Sequence, residues 1–336
     1  MILAVKAAIA NVVGAFAGNI AVSYVSSPYI SVYPWSAGFG TKYADPGTLP
    51  TGVAPKVTVT TAKDAIAVPH TNSPYISAYP WSAGFGTKYA NPVGIPAAPN
   101  NDAKFSPDDA NIALVNAASP FIHAYPWSAG FGTKYANPAS ALPSTGRGVY
   151  WSPTSTDLIA GHSSPPYVTA YAWSSGFGTK YADPAVAPTG TGRGVGWSPN
   201  GSDVAVPHSN SPYISVYPWS AGFGTKYADP AALPTGTGYE ARFSPASDFL
   251  AIAHATSPYI SVYPWSAGFG TKYADPAVLP TGVGLGVSIS PDSKSIAVSH
   301  VSSPYVTVYD FNAGFGTKYA DPAVLPAGTA GGVLFF

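Results

Sequence analysis

Cysteine is absent from this chain of 336 residues, glutamate occurs once (Glu240), and only 9% of positions carry a charge. No disulfide framework, thiolate metal site or cysteine nucleophile is therefore available. Fifteen basic residues balance fifteen acidic ones, so the basic footprint that nucleic-acid phosphates require is missing. Soluble domains carry about 25% charged residues, and a net charge away from zero helps keep them apart. The shortage of charge predicts partners that cover part of the surface, or a body small, rigid and well folded enough to tolerate neutrality. Long apolar runs are lacking too. Met1 to Gly18 is the nearest candidate, but Lys6 and Asn11 interrupt it. That suits neither a secretion signal nor the ~20 apolar residues of a membrane helix, and no membrane span is expected.

What the chain does contain is punctuation and repetition. Thirty-six prolines and 35 glycines make up about a fifth of it. Ser-Pro-Tyr-Ile begins at Ser27 and returns at Ser73, Ser119 (with Phe for Tyr), Ser211 and Ser257, then as Ser-Pro-Tyr-Val at Ser303, with Pro165-Pro166-Tyr167-Val168 in the remaining copy. The interval is always 46 residues or a multiple of it, which marks stacked or circular repeat units. In the copy from Gly194 to Gly236, four short β-rich runs are bounded by turn residues, which reads as a four-stranded meander. Ile214 and Val216 share one face of the third run, with Tyr213, Tyr217 and Trp219 on the other. Two apolar faces need cover on both sides, as in a blade between neighbouring blades. Pro218 lacks an N–H, so the ladder should end or bulge there. Seven such units predict an all-β chain, a seven-bladed β-propeller of four-stranded antiparallel blades.

Phe105-Ser106-Pro107-Asp108-Asp109 resembles the first-strand signature of WD40 propellers. Tyr217-Pro218-Trp219-Ser220 stands where that family's Trp-Asp pair lies, with Ser for Asp; the last copy, Tyr309-Asp310-Phe311-Asn312, also replaces Trp. The resemblance implies the fold and says little about function. Val59, Phe105, Trp151, Trp197, Phe243, Ile289 and Phe335 mark seven first strands. The last of them follows the seventh blade, so the C-terminal strand should join the blade begun near Asn19. Residues 14–336 are then one propeller domain, and residues 1–13 an extra segment for a partner or an outer strand.

Several repeated residues could carry chemistry. His70, His162, His208, His254 and His300 share one position at the end of the second strand, on the face of the Asp-Pro turns. Imidazole beside carboxylate can bind metal or move protons, but blades that fan outward hold equivalent histidines apart, and each can instead bond its own turn. Trp35, Trp81, Trp127, Trp173, Trp219 and Trp265 could stack on sugars or fill the space between blades. These histidines and tryptophans are the candidate ligand or partner positions. The Lys of each Thr-Lys-Tyr, from Lys42 to Lys318, suits a protected outer edge. No catalytic set, metal site or cofactor site stands out. Near-identical blades and a single glutamate argue against an enzyme.

Ser-Pro-Tyr-Ile, Tyr-Pro-Trp-Ser and Gly-Phe-Gly-Thr-Lys-Tyr together also resemble repeat proteins of tailed-bacteriophage virions. The expected function is a non-enzymatic virion component, in capsid decoration or in a tail or fibre, with other virion or assembly proteins as partners. The alternative is a multivalent lectin or receptor-binding propeller whose partners are glycans. The copies disagree at Asn116, His123, Pro165, Ala172 and Phe311, where a function should be sought.

Overall fold

The computed structural model describes residues 16–336, so the expected extra segment at residues 1–13 lies outside the described residues. The strands form seven antiparallel sheets, and no helix occurs among the described residues. The fourth sheet shows the plan. Gly146–Trp151, Asp157–His162, Val168–Trp173 and Phe177–Lys180 follow one another from the innermost strand to the outermost. All six residues of Asp157–His162 are buried. A strand apolar on both faces cannot be covered by one layer, and the hydrophobic clusters accordingly lie between blades. Val115 and Ile122 of the third blade pack with Val149, Leu158 and Tyr171 of the fourth. The arrangement is the seven-bladed β-propeller that the 46-residue period predicts.

The chain ends meet in one sheet. Ala330–Phe335 pairs antiparallel with Ala17–Tyr24, placing Val333 opposite Val22 and Phe335 opposite Ile20. Ala17–Tyr24 pairs in turn with Ile30–Ser36. The C-terminal strand is thus the innermost strand of a blade whose other strands come from the N-terminus. Packing continues across this latch: the Trp35 ring stands edge-on to Tyr319 of the seventh blade, centroids 5.1 Å apart, and to Phe335 at 5.2 Å.

The expected fourth strand needs correction. Five blades replace it with a single bridge, such as Trp219 with Phe223. Regular outer strands form only in the fourth and seventh blades, at Phe177–Lys180 and Phe315–Lys318. These are the two blades in which Ala172 and Asp310 stand where the others have Pro34, Pro80, Pro126, Pro218 and Pro264. A proline accepts through its carbonyl, as Gly224 N–H donates to Pro218 O at 2.8 Å, but gives the outer strand no N–H in return. Replacing Pro218 with Ala should therefore extend a regular outer strand in the fifth blade. Amide hydrogen exchange is expected to slow across residues 223–226; unchanged exchange there would mean that something other than the missing donor interrupts the ladder.

Candidate active site in the axial channel

Seven first strands converge on the propeller axis, and here the repeats stop resembling each other. At one register the blades carry Pro55, Asn101, Arg147, Arg193, Tyr239, Leu285 and Gly331. One residue further on stand Lys56, Asp102, Gly148, Gly194, Glu240, Gly286 and Gly332. Two beyond that come Thr58, Lys104, Tyr150, Gly196, Arg242, Ser288 and Leu334. All three arginines of the chain and its only glutamate fall in these rows. The glycines leave the room that the charges use. A Cβ on Gly194 would stand 2.7 Å from Tyr239 O, and one on Gly286 would meet Glu240 Oε2 at 3.0 Å.

Glu240 is the electrostatic centre. Its Oε2 accepts from Lys56 Nζ at 2.6 Å, across the channel from the second blade, and its Oε1 pairs with the Arg242 guanidinium. Lys56 Nζ also donates to Leu285 O at 3.0 Å. Burial opposes ionisation of Glu240, but Arg242, Lys56 and Lys104 outweigh it and hold the carboxyl down at about 2. Arg242 donates to Val195 O at 3.1 Å and lies over the Tyr150 ring at 4.8 Å. Lys104 approaches the same ring, with Nζ 5.8 Å from its centroid. Burial, and then the Arg242 charge, bring the Lys104 ammonium down to about 8. Asp102 is pushed up by burial, and its carboxylate accepts from Ala103 N–H at 2.9 Å and Val149 N–H at 3.2 Å.

Two cavities open onto this cluster. One, of about 210 Å³, is lined by Thr58, Thr61, Lys104, Tyr150, Trp151 and Arg242 among others. The second, of about 180 Å³, takes in Lys56, Asn101, Arg147, Arg193 and Tyr239. An amine whose charged form burial disfavours, beside a guanidinium at the same cavity, makes this cluster the candidate site for chemistry on an anion or a developing negative charge.

The residues singled out from the repeat lie elsewhere. His70, His162, His208, His254 and His300 are fully buried. Nδ1 of His70 meets Asn72 O at 2.8 Å and its Nε2 meets Ser77 Oγ at 3.0 Å; His162 repeats this with Ser164 O and Thr169 Oγ1. Each imidazole thus spends both nitrogens tying a turn to its own blade, and among the described residues no cluster of His, Cys, Asp or Glu could hold a metal ion. The third blade exchanges the pair, with Asn116 at the histidine position and His123 at the serine position; the Asn116 amide nitrogen and both His123 ring nitrogens have no partner among the described residues. Trp35, Trp81, Trp127, Trp173 and Trp265 are at most 7% exposed, and Trp219 is half-buried. Their edges meet Tyr and Phe rings, as in Tyr89–Trp127 at 5.3 Å and Trp127–Phe131 at 5.2 Å. No open ring face is left for sugar stacking at the five buried positions. The lysines of the outer edge close on their own blades: Lys180 pairs with Asp183 at 2.5 Å, and Lys42, Lys226, Lys272 and Lys318 do likewise with the next Asp.

No family model and no curated protein matches the sequence. Solved structures match its shape. A periplasmic gluconolactonase of Pseudomonas aeruginosa superposes with a TM-score of 0.71 at 15% identity, over 95% of this chain and 99% of that one. A protein of Bacteroides uniformis, provisionally named a 6-phosphogluconolactonase, gives 0.70 at 14%, over 95% and 99%. Hydrazine synthase of Kuenenia stuttgartiensis gives 0.60 at 13%, over 79% of each chain. At these identities the likeness establishes the β-propeller fold. The expectation of a non-enzymatic bacteriophage virion protein, or of a lectin-like propeller, is overturned by these neighbours, two of which carry lactonase names over 95% of this chain. Neither the WD40 nor the virion resemblance is matched among them. The premise behind that expectation fails in the channel. The blades are near-copies in their second and third strands, while their first strands bring unlike groups together, the lone glutamate included. No helix among the described residues is long and apolar enough to cross a membrane.

Two measurements probe this electrostatic frame. Glu240→Gln leaves Lys56 and Arg242 facing one another without their shared counter-charge, and should cost about 3–5 kcal/mol of unfolding free energy; a loss under 1 kcal/mol in urea melts would show that water already screens the pair. The five repeat histidines sit at about 4, lowered mainly by burial, against an ordinary 6.5. The unfolded chain thus binds more protons between those values, and stability present above pH 6.5 drains away as pH falls towards 4. Each histidine contributes a slope of about 1.4 kcal/mol per pH unit inside that window. His208→Asn should flatten the pH dependence of the melting curve by one such step, whereas an unchanged slope would place the acid sensitivity elsewhere.

Proposed function

We propose that this chain is a hydrolase of small sugar lactones, with its reaction centre in the cavity lined by Lys104, Tyr150 and Arg242. The observation that carries the reading is the concentration of Lys56, Asp102, Lys104, Glu240 and Arg242 in the channel of an otherwise uniform, charge-poor propeller. The lactonase names of propellers with this shape supply the substrate class. A lactone is a cyclic ester, so its hydrolysis needs a base for the attacking water and a positive group for the oxygen that becomes negative.

Lys104 meets the first need once deprotonated, because its value of about 8 leaves a usable fraction of free amine at neutral pH. Its Nζ takes a proton as the water oxygen bonds to the carbonyl carbon. The ring C–O bond then breaks, and the same proton passes to the departing alkoxide, leaving an open-chain hydroxy acid. Arg242 meets the second need. Glu240 holds it in place, and its always-charged guanidinium faces the cavity in which the carbonyl oxygen would lie. Tyr150, between the two cations, supplies an apolar wall against which a sugar ring can rest.

The test is hydrolysis of δ-gluconolactone by the purified chain, corrected for the spontaneous reaction. The enzymatic rate should rise with pH through about 8, as Lys104 loses its proton. Lys104→Met should lower kcat by about 10²–10⁴ while the melting temperature holds. Corrected rates equal to the buffer blank would remove the lactonase reading, and an unaltered kcat in Lys104→Met would remove Lys104 as its base.

A further inference from the structure

The opposite end of the channel has a different character. Along a strand at about 3.3 Å per residue, the row containing Arg147 and Arg193 stands about 10 Å from the row containing Lys104 and Arg242. Its cavity of about 180 Å³ is lined by Lys56, Arg147 and Arg193, with Asn101, Tyr239 and backbone around them, and no carboxylate in its lining. Lys56 is already committed to Glu240. The two guanidiniums are not committed to any acid. Arg147 spends only its Nε, on Ser163 Oγ at 2.9 Å. Arg193 lies over the Tyr239 ring at 5.4 Å, and its Nε is buried with no hydrogen-bond partner among the described residues.

A buried N–H without an acceptor costs roughly 1–3 kcal/mol, and two like charges in one cavity repel. An oxyanion between the two guanidiniums relieves that repulsion and supplies acceptors for their N–H groups. Guanidinium presents paired N–H groups that match carboxylate and phosphate oxygens. Two guanidiniums with no acid in the cavity lining favour a ligand of charge near −2, and a cavity of about 180 Å³ takes a small one.

We propose that the Arg147–Arg193 mouth is a binding site for a dianionic oxyanion group, the phosphate monoester of a small metabolite being the chemistry that fits it. The two arginines grip the group from neighbouring blades, Arg147 from the fourth and Arg193 from the fifth, so binding also ties those blades together at the axis. The site is separate from the Lys104 cavity, and its existence does not depend on lactone hydrolysis there.

Inorganic phosphate is the probe, with sulfate as a dianion that does not titrate and chloride at matched ionic strength as the control. Phosphate and sulfate should raise the melting temperature saturably, on the order of 2–4 °C at concentrations well above Kd, and chloride should not. Arg147→Gln and Arg193→Gln should each abolish the shift, while Lys294→Gln, outside the channel, should keep it. Calorimetric titration at one temperature repeats the comparison on any variant whose melt is altered. A chloride effect equal to that of phosphate, or a phosphate effect that survives in both arginine variants, overturns the site. Failure of this test leaves gluconolactone turnover and its Lys104 dependence untouched, so the two readings fall separately.

Discussion

Crowding at the propeller axis is the constraint on which the rest depends. Seven first strands must approach one another closely enough for their blades to pack, and most side chains at the innermost register cannot be accommodated. Gly148 shows the limit, since a Cβ there would lie 2.6 Å from the Gly194 backbone. Four blades answer with glycine and three with Lys56, Asp102 and Glu240. Those three are compatible with the crowding because they satisfy one another or the backbone. Glu240 pairs with both Lys56 and Arg242, and Asp102 accepts N–H groups at the seam between the third and fourth blades. An isolated charge in that position would carry a desolvation cost of several kcal/mol. The channel charges therefore form one unit, and that unit fixes where Lys104 and Arg242 stand.

Outside the axis the molecule solves the opposite problem, which is to hold seven wedges rigid with few charges. Aromatic rings do most of this. Each third-strand Trp, or Phe311 in the last blade, takes the edge of a Tyr from the preceding blade, as Tyr43–Trp81 and Tyr273–Phe311 do. Such contacts contribute about 0.5–1.5 kcal/mol each beyond burial. The buried tyrosine two residues earlier bonds a carbonyl of the incoming connection, 31 positions back in six blades, as Tyr309 O–H does to Val278 O at 2.7 Å, while Tyr33 O–H makes the equivalent bond across the latch to Val324 O at 2.8 Å. Histidine and Ser or Thr stitch the second strand to the third. Each device recurs because every blade meets the same neighbour. The catalytic proposal needs such a frame, since a general base must be held within a fraction of an ångström of its water.

How much of this could be read from residues follows from the same division. The 46-residue spacing, the two-sided apolar third strand and the offset of Phe335 lead directly to seven blades and a C-terminal latch, because packing repeats whenever geometry repeats. Pro218 signals an interrupted outer ladder through its missing N–H, and Ala172 and Asp310 mark the two blades that escape. The channel was hidden by the method that revealed the fold. Searching for residues common to all copies selects His70 or Trp81 and discards the first-strand positions in which Lys, Asp, Arg, Tyr and Glu alternate without pattern. A signal was present nevertheless. Three arginines and one glutamate in a chain so poor in charge, all within or just before the first strands, have no counterpart in a purely structural repeat. What residues alone could not supply was that Lys56 and Glu240, 184 positions apart, point across one axis.

Net neutrality also takes on a different meaning. Read from composition, it suggested a surface short of repulsion and in need of partners. In the folded chain it is the sum of unlike regions, a balanced rim and a positive channel, with an excess of carboxylates elsewhere making up the difference. At the rim, five Lys–Asp pairs close within their own turns and cancel locally. Along the axis, Lys56, Lys104, Arg147, Arg193 and Arg242 face only Asp102 and Glu240, leaving the channel positive. A positive cleft with low-dielectric walls concentrates field lines and draws anions inward, while paired charges at the rim are screened within about 10 Å at ordinary salt. The proposed lactone and phosphate sites both lie in this positive cleft, where an oxyanion, or the developing oxyanion of an ester under attack, is favoured. Charge scarcity elsewhere on the chain is what makes that place distinct.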